Sequence, residues 1–362
     1  MPSPLPVLRS EPPVATLSER LARDECTIEG ELFTHEPGGR VRCVACAHRC
    51  VIGEGSTGAC GVRRNLAGTL RVPHGYVARR YVRAVETNTI FHVLPGARAL
   101  TFGMYGCDLR CPYCHNHQLS QALRDGGSAE MPTTISAESL VDEALRAGCR
   151  VLCAAYNEPL ISAEWVRTVF GVARARGLRT ALVSDGHSTP EALHYLRDVT
   201  DVFRVDLKAH SEVAYKLLGG RLQPVLDAIV LARELGYWVE VVTLVVPGLN
   251  QERRAIMDLG ARLRDISPEL PWHLNGFVPR YRLSTREPAS ASFLLALAGA
   301  AYVAGSRFVY VGNAPSCREL AHTRCPGCHM MLVRRADYAA THVALQGASC
   351  PACSQVIPGL WQ

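Results

Sequence analysis

Three cysteines lie in one short run, Gly106-Cys107-Asp108-Leu109-Arg110-Cys111-Pro112-Tyr113-Cys114-His115-Asn116. The spacing is C-x3-C-x2-C. Three thiolates on one loop can each grip one iron of a four-iron cubane, whereas an ordinary [4Fe–4S] cluster takes four cysteines. The iron left without a cysteine keeps an open coordination position, and an open position is where chemistry occurs. The alternatives for such a run are a zinc site and a ferredoxin-type electron carrier. Zinc usually shows paired C-x2-C elements, which this loop lacks, and ferredoxin runs supply a fourth cysteine nearby. His115 adjoins Cys114 and is poorly placed to be a fourth ligand.

The chain holds fifteen cysteines in 362 residues. Residues 1–13 are proline-rich and lack the apolar run of a secretory signal, so a cytoplasmic location is expected. Clustered cysteines in a reducing compartment point to metal or catalysis rather than disulfides. Cys325-x2-Cys328 and Cys350-x2-Cys353 read as two zinc knuckles, with a rubredoxin-like iron site as the rival. Cys43, Cys46, Cys50 and Cys60 fit either structural zinc or a second [4Fe–4S] cluster. Cys149 and Cys153 flank an apolar run and read as small core residues.

Hydrophobic residues make up 48% of the chain and charged residues 20%, which fits a globular protein with a sizeable core. The longest apolar stretch, 294–304, is too short to span a bilayer. The net charge of +6 rests almost wholly on arginine, because Lys208 and Lys216 are the only lysines. The pairs Arg63–Arg64, Arg79–Arg80 and Arg334–Arg335 suit either a solvated surface or phosphate contact.

Elements must position these groups. β-rich apolar runs over 99–105, 150–155, 179–184, 202–207, 238–246, 272–277 and 308–311 predict strands. Amphipathic stretches over 136–147, 164–176, 190–196, 224–235, 252–264 and 290–304 predict the helices between them. Alternation of this kind predicts an α/β fold with a parallel sheet, either a partial barrel or a doubly wound sheet. Ligands then sit at the carboxyl ends of the strands. The expected organisation is a flexible arm (1–30), a cysteine-rich segment (31–95), a partial barrel (96–315) and a zinc-ribbon-like module (320–362).

The triplet and its setting resemble the radical S-adenosylmethionine (SAM) superfamily. The resemblance implies a partial (βα)6 barrel and a [4Fe–4S] cluster on Cys107, Cys111 and Cys114. It further implies reductive cleavage of SAM to a 5′-deoxyadenosyl radical, with Tyr113 packed on the adenine. In pyruvate formate-lyase activating enzymes a Gly-Gly-Glu motif binds the methionine amino group, and here Asn157 and Glu158 stand at that place. Ser184-Asp185-Gly186 is similar to the family's Thr-Asn-Gly and implies ribose contact. Asp206-Leu207-Lys208 matches the family's Asp-Leu-Lys, where Lys208 either pairs with Asp206 or reaches the methionyl carboxylate. His273 either points into the barrel mouth as a cofactor contact or sits satisfied in the core.

From about residue 30 onward the chain looks like the radical enzyme of the AmmeMemoRadiSam system. The match runs through Cys43-Val44-Ala45-Cys46-Ala47-His48-Arg49-Cys50, Gly58-Ala59-Cys60-Gly61-Val62-Arg63, Tyr156-Asn157-Glu158-Pro159, Pro271-Trp272-His273 and Ile357-Pro358-Gly359-Leu360-Trp361. It departs at Glu86-Thr87-Asn88-Thr89, where the family has Glu-Lys-Lys-Pro, and at Cys114-His115-Asn116-His117, where it has Cys-Gln-Asn-Trp. The resemblance implies a flavodoxin- or ferredoxin-type electron donor, with Memo-like and AMMECR-like proteins as partners. Hydrogen abstraction from a protein, RNA or small substrate follows, and glycyl-radical activation is one form of it. The rival classes are a nucleic-acid-binding modification enzyme, resting on the ribbon and the arginine pairs, and a non-catalytic electron carrier.

Overall fold

Strand order decides the architecture. The computed structural model describes residues 16–126 and 130–362. Eight strands form the main sheet: β1 (Arg79–Ala84), β2 (Arg98–Gly103), β3 (Val151–Ala154), β4 (Arg179–Ser184), β5 (Val202–Asp206), β6 (Trp238–Val245), β7 (Trp272–Gly276) and β8 (Val309–Gly312). They are neighbours in strict chain order. β2 to β8 run parallel, and β1 pairs antiparallel with β2. A doubly wound sheet reverses its order part-way. This one does not, so the doubly wound alternative is set aside. β3 is buried along its whole length and β5 along all but its last residue, which is why both read as unbroken apolar runs.

The crossovers carry α1 (Ala137–Arg146), α2 (Ala163–Ala175), α3 (Pro190–Leu196), α4 (Glu212–Leu218), α5 (Leu222–Glu234), α6 (Arg253–Ile266) and α7 (Ala291–Val303). Their starts are written locally. Ser136, Thr189, Ser211 and Ser290 each accept a backbone N–H three residues on, and Pro190 fills the first turn of α3. The sequence pattern misses α4 and β1. α4 has only seven residues and exposes Val213 and Leu217, which blurs its apolar stripe. β1 reads Arg-Arg-Tyr-Val-Arg-Ala, and such charge is how an edge strand avoids pairing with other chains.

Before the main sheet lie two small antiparallel sheets. One joins Phe33–Glu36, Arg40–Cys43 and Val51–Ile52; the other joins Thr27–Glu29, Thr69–Pro73 and Arg64–Leu66. Pairing therefore begins at Thr27, inside the stretch expected as a loose arm. Leu17–Leu21 is a helical turn closed by a Thr16–Glu19 capping box. Residues 1–15 of that arm lie outside the described residues.

After the main sheet, Thr323–Arg324, Met331–Ala336 and Ala339–Val343 form a three-stranded antiparallel sheet. Arg335 docks it: Nη2 donates to the Phe91 carbonyl at 2.6 Å, and the guanidinium lies 4.1 Å from the Phe91 ring centroid. The chain end returns to the same place, with Leu360 N donating to His92 O at 2.7 Å. This corrects the reading of the arginine pairs. Arg335 is buried, and Arg63 is buried in a bidentate pair with Glu164 at 2.7 and 2.8 Å. Neither can meet a phosphate. Among the described residues no helix is long and apolar enough to cross a membrane.

Candidate active site

The triplet loop leaves the carboxyl end of β2. Its path needs Gly103, because a Cβ there would lie 2.5 Å from the Ala155 carbonyl. The loop is tied across to β3 by Asn157, whose Oδ1 accepts from Met104 N at 2.9 Å. Cys107, Cys111 and Cys114 line a cavity of about 360 Å³ together with Tyr113, Asn157, Glu158, Asp185, Asp206 and Lys208. These nine residues come from the ends of four neighbouring parallel strands, as the sequence predicts. The size is that of a small-molecule site. A second cavity, of about 430 Å³, lies beside α3 and α5 against Leu193, Pro224 and Leu231 and holds none of these groups.

Glu158 is fixed on every side. Its Oε1 accepts from Ser184 Oγ at 2.8 Å and Leu160 N at 3.0 Å, and its Oε2 accepts from Asp185 N at 2.8 Å. Burial and the nearby Asp108 carboxylate push its carboxyl up to about 7, against the pull of those donors. Asp185 is raised further by burial, Asp108 and Glu158.

Lys208, beside Arg204, is a cation of the lining. Its Nζ lies 3.1 Å from Asp206 Oδ2, and Arg204 grips the other oxygen of Asp206. Burial works against the ammonium, but Asp206, Cys111, Tyr113 and Asp185 hold its pKa well above the usual lysine value. Three buried polar atoms of residues that line the cavity have no partner: Glu86 Oε2, Tyr113 Oη and Asp185 Oδ2. Each is free to bond a ligand there.

Two expected contacts are corrected. Ser184 does not line the cavity; it is buried, and its hydroxyl holds Glu158. His273 does not reach the mouth. Its Nε2 bonds Glu240 Oε2 at 2.8 Å, with both side chains buried. Glu240 also accepts from Phe91 N, His92 N and Trp238 Nε1, so it fastens the 91–92 segment to β6 and β7.

Sequence reasoning missed Asn275, Asn313 and Tyr338, which wall the cavity with Thr87, Asn88 and Thr89. The 86–89 segment, where the chain departs from its look-alike family, is therefore part of the wall. Thr89, Tyr156, Asn313 and Tyr338 all have positive φ, 56°, 72°, 55° and 60°, and all line this one cavity. Non-glycine residues held in that region cluster at functional sites. Asp108 and His187 were also missed; His187 Nδ1 meets Asp108 Oδ2 at 2.9 Å beside Cys107. Their signal was adjacency to the Cys107 and Ser184-Asp185-Gly186 motifs.

The family model of the radical SAM superfamily matches residues 102–260. An uncharacterized protein of Methanocaldococcus jannaschii is 30% identical over 323 residues, covering 88% of this chain and 95% of that protein. The chain belongs to the radical SAM superfamily. Pyruvate formate-lyase 1-activating enzyme of Escherichia coli K12 is 29% identical over 195 residues, covering 49% of this chain and 75% of that enzyme. A domain of a pyruvate-formate lyase-activating enzyme from Bacteroides vulgatus superposes with a TM-score of 0.38 at 14% identity, covering 44% of this chain and 98% of that domain.

Membership of the radical SAM superfamily implies a [4Fe–4S] cluster and SAM, and the residues present fit both. Three thiols line one cavity, and the buried Lys208 ammonium and the carboxyls of Glu86, Glu158, Asp185 and Asp206 line it with them. At the far end of the chain, the sulfurs of Cys325, Cys328, Cys350 and Cys353 lie within 4.8 Å of one another. Cys325–Cys353 and Cys328–Cys350 are each 3.5 Å apart, so this group can hold a metal ion.

Proposed function

We propose that this radical SAM enzyme folds as a partial (βα)6 barrel and holds its cluster on Cys107, Cys111 and Cys114. When bound, the cluster supplies the electron that cleaves SAM to a 5′-deoxyadenosyl radical. The chain's own residues bind and orient. Lys208 faces the methionyl carboxylate, and Asp185 supplies its free oxygen as an acceptor. Tyr113 packs on the adenine. Glu158, clamped by Ser184 and the Asp185 N–H, accepts from the methionine ammonium as the family resemblance implies. Asn157 holds the triplet loop against β3.

The observation that carries this reading is the shared cavity: three thiols and the Lys208 ammonium open into one space at the strand ends. The substrate then lies toward Thr89, Asn313 and Tyr338, and hydrogen abstraction from it follows. The motif match favours the AmmeMemoRadiSam system, with a flavodoxin- or ferredoxin-type donor and Memo-like and AMMECR-like partners in the cytoplasm. The C-terminal cysteines hold zinc, since their spacing suits a tetrahedral ion.

A second reading, a glycyl-radical activase, is favoured by the likeness to pyruvate formate-lyase activating enzymes. The test of the shared reading is spectroscopic. Adding SAM to the reduced protein changes the cluster's spin signal if SAM fills the open iron. A signal indifferent to SAM marks a simple electron carrier.

A further inference from the structure

The cysteines at 43, 46, 50 and 60 lie outside the site above. We propose that Cys43, Cys46, Cys50 and Cys60 hold a second [4Fe–4S] cluster, packed directly behind the triplet loop.

Spacing separates this group from the zinc-type set. Four thiolates on one zinc sit about 3.8 Å apart, given Zn–S near 2.3 Å in a tetrahedron. The C-terminal four meet that spacing. Among the described residues, no three sulfurs of the N-terminal four gather within 4.8 Å, and the same holds for Cys107, Cys111 and Cys114. A cubane demands the wider arrangement, because each thiolate binds a different iron. Burial separates the two sets as well. Cys328 and Cys353 are exposed, whereas Cys43, Cys46 and Cys60 are buried and Cys50 is half-buried. Cys43 and Cys50 pack in the same apolar cluster as Val44, Ala45, Ile52 and Val62. Iron–sulfur clusters are tuned by such a shell and by hydrogen bonds to sulfur. Ala59 N lies 3.4 Å from Cys50 Sγ, the Val62 and Arg63 N–H groups meet Cys60, and the His48 N–H meets Cys46.

The group abuts the triplet through three links. Arg124 Nη2 donates to Ala59 O at 2.7 Å and to Cys107 O at 2.6 Å, so one guanidinium joins the two cysteine loops. His48, between Cys46 and Cys50, bonds the Asp108 carbonyl at 3.2 Å. Gly106 has φ +92°, and a Cβ there would lie 2.8 Å from the Cys60 carbonyl. A structural zinc has no need of this proximity, whereas a redox group beside a redox group does. With four cysteines the second cluster has no open iron, so it is an electron-transfer group and not a second SAM site.

The test is an anaerobic iron and sulfide count on the full-length chain and on Cys107→Ala/Cys111→Ala/Cys114→Ala. The expected contents are about eight irons in the parent and about four in the variant, with matching sulfide. After reduction, the variant's spin signal does not respond to SAM. A variant with neither iron nor sulfide but about two zinc per chain overturns the proposal, because both flanking groups are then zinc sites. If parent and variant both hold about four irons, the second cluster stands and the triplet reading falls. Cys46→Ala/Cys60→Ala is the complement. It loses about four irons and keeps a SAM-responsive signal; unchanged iron there overturns the assignment.

Discussion

The Glu158 carboxylate accepts a 2.8 Å hydrogen bond from the backbone N–H of Asp185, the residue after β4. That bond and the Ser184 hydroxyl fix Glu158 in the cavity wall while burial lifts its pKa to about 7 from the ordinary 4.5. The folded chain therefore holds this proton more tightly than the unfolded chain does. By linkage, this group makes stability fall as pH rises from about 4.5 to about 7, and level off above. Melting temperatures of apo-protein across that range should show this slope, and Glu158→Gln should flatten it. Equal slopes in the two proteins contradict the assignment.

Lys208 is the cation proposed to meet the ligand's carboxylate. Lys208→Ala should weaken SAM binding by about tenfold or more, about 1.4 kcal/mol, in equilibrium titration. Lys208→Arg should restore little of it, because a planar fork does not replace a compact ammonium in this lining.

Much of this cavity's lining was legible in the sequence. The cysteine spacing gave the triplet, and strand-end motifs gave Glu158, Asp185 and Lys208, because each lies on a short local pattern. What was not legible depends on tertiary partners. Alternation along β7 says which face His273 takes but not that Glu240 waits there. Ser184 sits in a ligand-like motif, yet its hydroxyl serves a carboxylate from the neighbouring strand's loop. Asn313 and Tyr338 meet at 3.1 Å only because the terminal sheet docks beside the main sheet through Arg335.

Glu240 accepts four N–H donors in the interior, and burial is overcome by His273 and those donors, so its carboxyl is held down near 2. Glu240→Gln should destabilise the fold by about 2 kcal/mol, since an amide cannot accept from all of these buried N–H donors as the carboxylate does. The contribution of the native Glu240 is present above pH about 4.5 and is lost as pH falls toward 2. Denaturant unfolding of both proteins at neutral and acid pH checks this. SAM binding by the folded variant should be unchanged.

The terminal sheet is small, so the metal proposed for its four cysteines should bear on its folding. Cys328→Ser should remove about one zinc per chain while leaving iron content intact, and should open the Met331–Val343 hairpin to protease. Zinc retained at the parent level contradicts a four-cysteine site.

The most direct test of the central claim is the yield of 5′-deoxyadenosine. Anaerobic, reconstituted protein given a strong one-electron reductant and SAM should produce it, and Cys111→Ala should reduce the yield to background. Equal yields from the parent and Cys111→Ala would contradict the account.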